Sequence, residues 1–336
     1  MIASRIALFA MAAMAAMAAM FARFARFATF ALFASFCMPA HAQEYPGKLI
    51  RIMLGGGPDA AARMIAEKLQ AAWGQPVIVE NKPQVGGTIM SQEVANAAPD
   101  GHTLMFCSSG QFMVLPVSKV GYDMVRDFAP VTQITTMPFV LSVHPSVPAG
   151  SAKELIALAK AKPGELAYGS GGNGSGAHVS GEMLKMLAKI NLTHIPYKGV
   201  GPAQIDLLAG QIQLVFGGVP STAPQIRTGR LRALGVTGPK RVVTFPDLPT
   251  IAESGVPNYD VTMWYGVLAP AGTPQTVVMK LHGAVNRALH TPDLNERLLA
   301  DGSEPSGMLP DEFSAFIKSE LMKWAPVIKA SGAKPD

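Results

Sequence analysis

Three times along this chain a short apolar run ends in glycines and small hydroxyl residues and passes directly into a helical pattern. The turns are Gly55-Gly56-Gly57-Pro58 before Asp59, Ser108-Ser109-Gly110 after Cys107, and Gly171-Gly172-Asn173-Gly174-Ser175-Gly176 after Ser170; Phe216-Gly217-Gly218 is a weaker fourth case. The runs Leu49–Leu54, Val77–Glu80 and Thr103–Cys107 carry little polar alternation, which suits strands of a parallel sheet covered on both faces. Between them, Asp59–Trp73 places Ala62, Ile65, Leu69 and Trp73 along one helical stripe, and Thr88–Ala97 reads as the next helix. Such alternation predicts a doubly wound α/β fold.

A second set of elements begins near Phe139–His144. Ser151 and Glu154 form a capping pair in front of a helix reaching Lys162. Strands are expected at Leu166–Ser170, Leu192–Pro196, Leu214–Phe216, Leu231–Thr237 and Trp264–Leu268. Helices are expected at Ala177–Leu187, Pro202–Ala209, Pro274–Leu289, Pro292–Ala300 and Pro310–Lys329.

In open α/β sheets, ligands sit outside the carboxyl ends of the strands. Glycines there let a ligand approach the backbone, and the free N–H groups that open the following helix favour an anion. A carboxylate can therefore be held by neutral dipoles and hydroxyls without an arginine. One such turn is ordinary loop chemistry, but three or four at equivalent strand ends point to a shared binding face. Asp59 reads first as a residue that complements a helix dipole, and Trp264 and Tyr265 as core aromatics.

The same turns argue against an enzyme. They contain no nucleotide P-loop, and Gly172-x-Gly174-x-x-Ala177 only faintly echoes a dinucleotide fingerprint, with no acidic residue suitably placed downstream. The Gly-x-Ser-x-Gly nucleophile elbow is absent. Ser175 with His178 is the one hydrolase-like pair, and three residues apart at a helix start is poor triad geometry. No cofactor motif and no Cys/His cluster at metal spacing occurs.

The formal charge of +5 comes from 28 basic and 23 acidic residues. Three of the basic residues, Arg5, Arg23 and Arg26, lie in an Ala/Met/Phe-rich leader that has no acid. Ala40-His41-Ala42 fits a signal-peptidase site, so residues 1–42 are expected to be a cleaved signal peptide, with Met20 as an alternative start. The mature chain then has a charge of +2, which gives no support to nucleic-acid binding. Cys37 leaves with the leader, so Cys107 has no internal disulfide partner and is expected to be a buried strand residue.

Several stretches resemble the Bug family, the extracytoplasmic solute receptors of tripartite tricarboxylate transporters. They include Tyr45-Pro46-x-Lys48-x-Ile50-Arg51, Val77-Ile78-Val79-Glu80-Asn81-Lys82-Pro83 and Ala98-Pro99-Asp100-Gly101-His102-Thr103-Leu104. Asp127-Phe128-Ala129-Pro130-Val131, Pro196-Tyr197-Lys198-Gly199, Phe245-Pro246-Asp247-Leu248-Pro249-Thr250 and Leu268–Pro274 follow in family order. The resemblance implies a type II periplasmic-binding-protein fold, with two doubly wound α/β lobes and a ligand cleft between them. Residues 43–140 with 266–336 would form lobe one and 141–265 lobe two, with hinges near 139–143 and 262–267.

It also implies a periplasmic, non-enzymatic receptor that captures a small carboxylate and delivers it to membrane permease subunits. A sensor subunit for a signalling protein is the alternative, and an α/β hydrolase a remoter one. The ligand-binding positions implied are Gly55, Gly56, Gly57, Asp59, Ser108 and Ser109 in lobe one. In lobe two they are Gly171, Gly172, Asn173, Gly174, Ser175, Gly176, His178 and Gly217. Two departures stand out: a Pro-Phe-Pro-Pro-like segment usual between the equivalents of Leu54 and Gly55 is missing, and Gly217-Gly218 stands where an acidic or amide residue often follows the equivalent of Phe216. Lobe one is therefore expected to grip less well or to hold a different solute.

Overall fold

The computed structural model describes residues 45–55, 59–82, 87–115 and 119–331, with Met14, Met17 and Met20 of the leading segment. The expected signal peptide and its cleavage site thus lie outside the described residues, apart from those three methionines.

Along the chain run β1 (Ile50–Leu54), α1 (Asp59–Trp73), β2 (Val77–Asn81), α2 (Thr88–Ala95), β3 (Thr103–Ser108), α3 (Ser109–Val114) and β4 (Phe128–Val143). Then come α4 (Ala152–Ala161), β5 (Ala167–Ser170), α5 (Gly176–Ala188), β6 (Thr193–Pro196), α6 (Val200–Leu208), β7 (Leu214–Gly218) and α7 (Val219–Arg227). After β8 (Arg232–Val236) and β9 (Thr262–Pro270), the chain closes with α8 (Gln275–Leu289), α9 (Pro292–Ala300), β10 (Glu304–Pro305) and α10 (Pro310–Ser331).

The strands are ordered β2-β1-β3-β9-β4-β7-β5-β6, with β8 and β10 also pairing β4. Strands β1, β2 and β3 are mutually parallel, as are β5, β6 and β7. The three runs expected as parallel strands are parallel, and at the centre of the sheet β9 and β4 run antiparallel to their neighbours. These are the strands that carry the chain from one parallel set to the other and back, so their direction is set by the crossing.

Strand β4 has 16 residues, where only its last third was expected. Pro130 and Pro138 hide the rest. Pro130 sits where the register with β9 slips, and Pro138 is the last residue paired with β9, opposite Thr262. Prolines are tolerated at irregularities of this kind. From Phe139 onward β4 pairs instead with β7 and β8. The segments 139–143 and 262–267, expected as hinges, are therefore paired strand.

The changeover is fastened by Thr237, which is fully buried. Its hydroxyl accepts from the Phe139 N–H at 2.7 Å and donates to the Val261 carbonyl at 2.6 Å. Its own N–H donates to the Phe139 carbonyl and its carbonyl accepts from the Val261 N–H, at 2.9 and 2.8 Å. One residue thus ties both crossing segments.

Two apolar cores flank this seam. One gathers Met53, Met105, Phe112, Trp264, Phe313 and Ile317; the other gathers Leu141, Tyr168, Val179, Leu184, Phe216 and Trp324. Helix α10 serves both, with Phe313 and Ile317 in the first and Trp324, Val327 and Ile328 in the second. Between them its buried Glu320 accepts from the indole N–H of Trp264 at 2.8 Å and of Trp324 at 2.9 Å. The described residues from Pro46 onward form one compact unit. Among the described residues, no helix is long and apolar enough to cross a membrane.

Candidate functional site

The register brings the glycine turns together. Strand β3 ends at Ser108 opposite Tyr265 of β9, three residues from the end of β9 that pairs with Pro138. Strand β7 ends at Gly218 opposite Phe139. Because β1 is parallel to β3 and β5 to β7, both sets of carboxyl ends approach the Pro138–Phe139 changeover from opposite sides.

Met263 lies at the meeting point. Its sulfur accepts from the Ser109 hydroxyl at 3.3 Å, and that hydroxyl also accepts the Trp264 N–H at 3.2 Å. On the other side, a Cβ on Gly176 would lie 2.9 Å from the same sulfur and 2.6 Å from the Phe139 ring. The first turn of α5 has to be glycine for that approach. The starts of α3 and α5 therefore both approach one thioether.

The turn after β5 is held by a local network of hydrogen bonds. Ser170, fully buried, accepts from the Gly172 N–H and lies within 3.1 Å of the Gly172 carbonyl and 2.6 Å of Nε2 of His194. Gly172 has φ +118°, a conformation that favours glycine. The Ser175 hydroxyl donates to the Gly172 carbonyl at 2.7 Å and accepts the His178 N–H at 3.3 Å, as a helix N-cap does. Nδ1 of His178 accepts the Gly174 N–H at 3.0 Å. These bonds consume the N–H groups of Gly172 and Gly174. Among the described residues, nothing accepts those of Asn173, Gly176 and Ala177.

The first turn is more enclosed. A Cβ on Gly55 would lie 2.5 Å from Cα of Gly87 and 2.8 Å from Nε2 of Gln111. Gly55 is thus glycine because two backbones pack there. Gln111 holds the neighbouring turn, since its amide oxygen accepts the Ser108 N–H at 2.9 Å. Gly56 and Gly57 lie outside the described residues, as does the side chain of Asp59. A Cβ on Gly217 would lie 2.4 Å from the Thr222 methyl, so the lower face of that glycine is closed by α7.

Electrostatically the turns are neutral: residues 108–110, 171–176 and 217–218 include no Lys, Arg, Asp or Glu. The basic and acidic residues of Val77–Lys82 and its surroundings instead form a lattice at the outer sheet edge. There Arg51 donates to Glu80 at 2.7 Å and to Glu93 at 3.1 Å. Burial pushes the Tyr265 phenol up to about 12, so it remains an un-ionised hydroxyl beside Ser108. Cys107 is buried, its thiol donates to the Gly266 carbonyl at 3.3 Å, and burial raises its pKa. It is a packing residue, as its apolar run implied.

Sequence reasoning missed Met263, Phe139 and His194, which join the site only through pairing across the sheet. It also missed α3, which has only six residues, and α7, which carries Pro220 in its first turn and Pro224 in its interior. A cavity of about 790 Å³ lies elsewhere, between the end of α7 and residues 244–248, lined by Ile226, Arg227, Phe245 and Leu248.

Known proteins share this architecture. A family model described as tripartite tricarboxylate transporter family receptor matches residues 61–333. Protein BugT of Bordetella pertussis is 36% identical over 303 residues, covering 88% of this chain and 93% of BugT. The structure of R. palustris Rpa4515 with adipate superposes with a TM-score of 0.70 at 34% identity, covering 87% of this chain and 100% of that one. MatC from Rhodopseudomonas palustris with bound malate gives 0.67 at 32% identity, covering 84% and 100%.

Proposed function

The chain belongs to the tripartite tricarboxylate transporter receptors, the family of the Bug proteins, and from that membership we propose that it captures a small carboxylate between two lobes of a type II periplasmic-binding-protein fold. It is a periplasmic solute receptor and not an enzyme. In this reading the leader is removed after Ala42, and the mass of the protein recovered from the periplasm checks that site. The loaded receptor delivers its solute to permease subunits in the membrane.

The observation that carries the reading is the convergence of the Ser108–Gly110 and Gly171–Gly176 turns on Met263. Lobe two supplies the N–H groups of Asn173, Gly176 and Ala177 at the start of a 13-residue helix, where the macrodipole favours negative charge. Lobe one supplies the first-turn N–H groups of Ser109 and Gly110. Gly55 contributes packing against Gly87 rather than a ligand contact, which moves lobe one's grip toward Ser108–Gly110. The lobes meet at the Pro138–Phe139 changeover, slightly earlier than residue 140, and closure about that seam is favoured when both turns share one anion.

The relatives solved with adipate and malate direct the test to dicarboxylates first. The mature protein is heated with C4–C6 dicarboxylates, tricarboxylates, amino acids and aromatic acids. A solute at one hundred times its Kd adds about 2.7 kcal/mol to the native state. Over the roughly 290 residues of the folded unit this corresponds to a rise in Tm of about 4 °C. Failure of every carboxylate to raise Tm, together with no carboxylate co-purifying by mass spectrometry, defeats the proposal.

A further inference from the structure

His178 is held in one protonation state by its neighbours. A backbone amide can only donate, so the 3.0 Å bond from the Gly174 N–H requires an unprotonated Nδ1 and places the ring proton on Nε2. The ring is nearly fully buried and stacks on His194, with centroids 4.1 Å apart and planes inclined by 23°. His194 stacks in turn on Tyr168 at 4.8 Å. One arrangement uses every group at Ser170: its hydroxyl accepts from Nε2 of His194 and from the Gly172 N–H, and donates to the Gly172 carbonyl. Two stacked imidazoles thus hold the two ends of the same glycine turn.

The charged and titratable groups around the pair are few. On α5, Glu182 accepts the Tyr168 hydroxyl and pairs with Lys185, both at 2.7 Å. Strand β5 contributes Tyr168, β6 contributes His194, and β7 contributes no titratable side chain. On α10, Glu320 is committed to two indoles and Lys323, and Lys323 also to Asp260. Burial lowers the pKa of His178, and burial with the adjacent His178 ring brings His194 down to about 4.

We propose that His178 is the positioning residue of this turn: its unprotonated Nδ1 fixes the Gly174 N–H, and a proton on that nitrogen sets donor against donor, releases the turn and weakens carboxylate capture. The inference rests on the carboxylate reading only for its last step. It also opposes the simpler expectation that a cationic histidine would attract an anion.

The experiment has two arms on the mature protein. Without ligand, imidazole ¹⁵N shifts should show His178 protonated on Nε2 alone at pH 8, and the Gly174 amide should exchange about tenfold more slowly than in His178→Leu. That protection should fade as pH falls below the ordinary histidine range in the wild type and persist in His178→Asn, whose amide oxygen can accept near the Nδ1 position but does not titrate. An Nδ1-protonated His178, or equal exchange in all three proteins, overturns the inference whatever the solute. In the second arm, succinate is titrated by calorimetry. Its affinity should fall about tenfold per pH unit below the point where His178 takes its proton, relative to His178→Asn. Affinity that rises with acidity relative to that variant also overturns it. Absence of succinate binding in every protein, together with no rise in Tm from any other carboxylate and with the first arm intact, counts against the carboxylate reading alone.

Discussion

Thr237→Val removes one oxygen from the point where both crossing segments are tied together. The substitution keeps the β-branched shape, so the volume filled at this buried position changes little. It deletes the 2.7 Å bond from the Phe139 N–H and the 2.6 Å bond to the Val261 carbonyl at a position with no solvent exposure. Leaving two main-chain groups buried without partners costs about 1–3 kcal/mol each. The added methyl returns about 0.8 kcal/mol of burial. Partial relaxation of the orphaned groups places the net loss at about 2–3 kcal/mol. With an unfolding entropy of ~2.1 cal/mol/K per residue, roughly 290 residues give ~0.6 kcal/mol/K, so Tm should drop by about 3–5 °C. Thr237→Ser keeps the hydroxyl and loses only a methyl, for about 1 kcal/mol and under about 2 °C. Differential scanning calorimetry of the mature protein and both variants measures this. A Val variant melting within about 1 °C of wild type, or below which the Ser variant falls, would refute the claim that the hydroxyl fastens the seam.

Two further outcomes follow from the packing. Cys107 is fully buried with its thiol pKa raised, so Ellman's reagent at pH 8 should leave the native mature protein unmodified and label one thiol after unfolding in guanidinium; stoichiometric labelling of the native state within minutes would contradict the structure. Gly181 lies in α5 where a Cβ would sit 2.3 Å from the Tyr168 ring. Although alanine is the better helix former by ~1 kcal/mol, Gly181→Ala should destabilise by about 1–3 kcal/mol in chemical denaturation through displacement of that ring, and a gain in stability would show that the ring moves freely.

Much of the fold was legible because local pattern and tertiary role agree. The Asp59–Trp73 stripe faces the sheet, with Ala62, Ile65 and Leu69 buried, and the helix has the expected bounds. Ser151 accepts the Glu154 N–H at 3.2 Å as the capping pair required. Strand β4 was not legible in full, because Pro130 and Pro138 are strand-breaking in any local reading and are accommodated only by a register slip and a change of partner. Helices α3 and α7 were equally hidden, the first because six residues carry too few periods and the second because Pro224 interrupts its interior.

The sequence by itself determined that glycines and hydroxyls follow the strands, that no arginine is available in those turns to hold an anion, and that Cys107 belongs to the interior. These are properties of residue type and spacing along one segment. Only the tertiary structure decided which glycines are glycine for packing and which have room: Gly176 abuts Phe139 and Met263, Gly55 abuts Gly87 and Gly217 abuts Thr222, whereas a Cβ on Gly110 would meet only the Ser108 hydroxyl, at 3.7 Å. It alone placed His194 against His178 and Thr237 between Phe139 and Val261. Those partners come from separate strands and loops, and their meeting is fixed by sheet register, which is a balance over the whole molecule rather than a local preference.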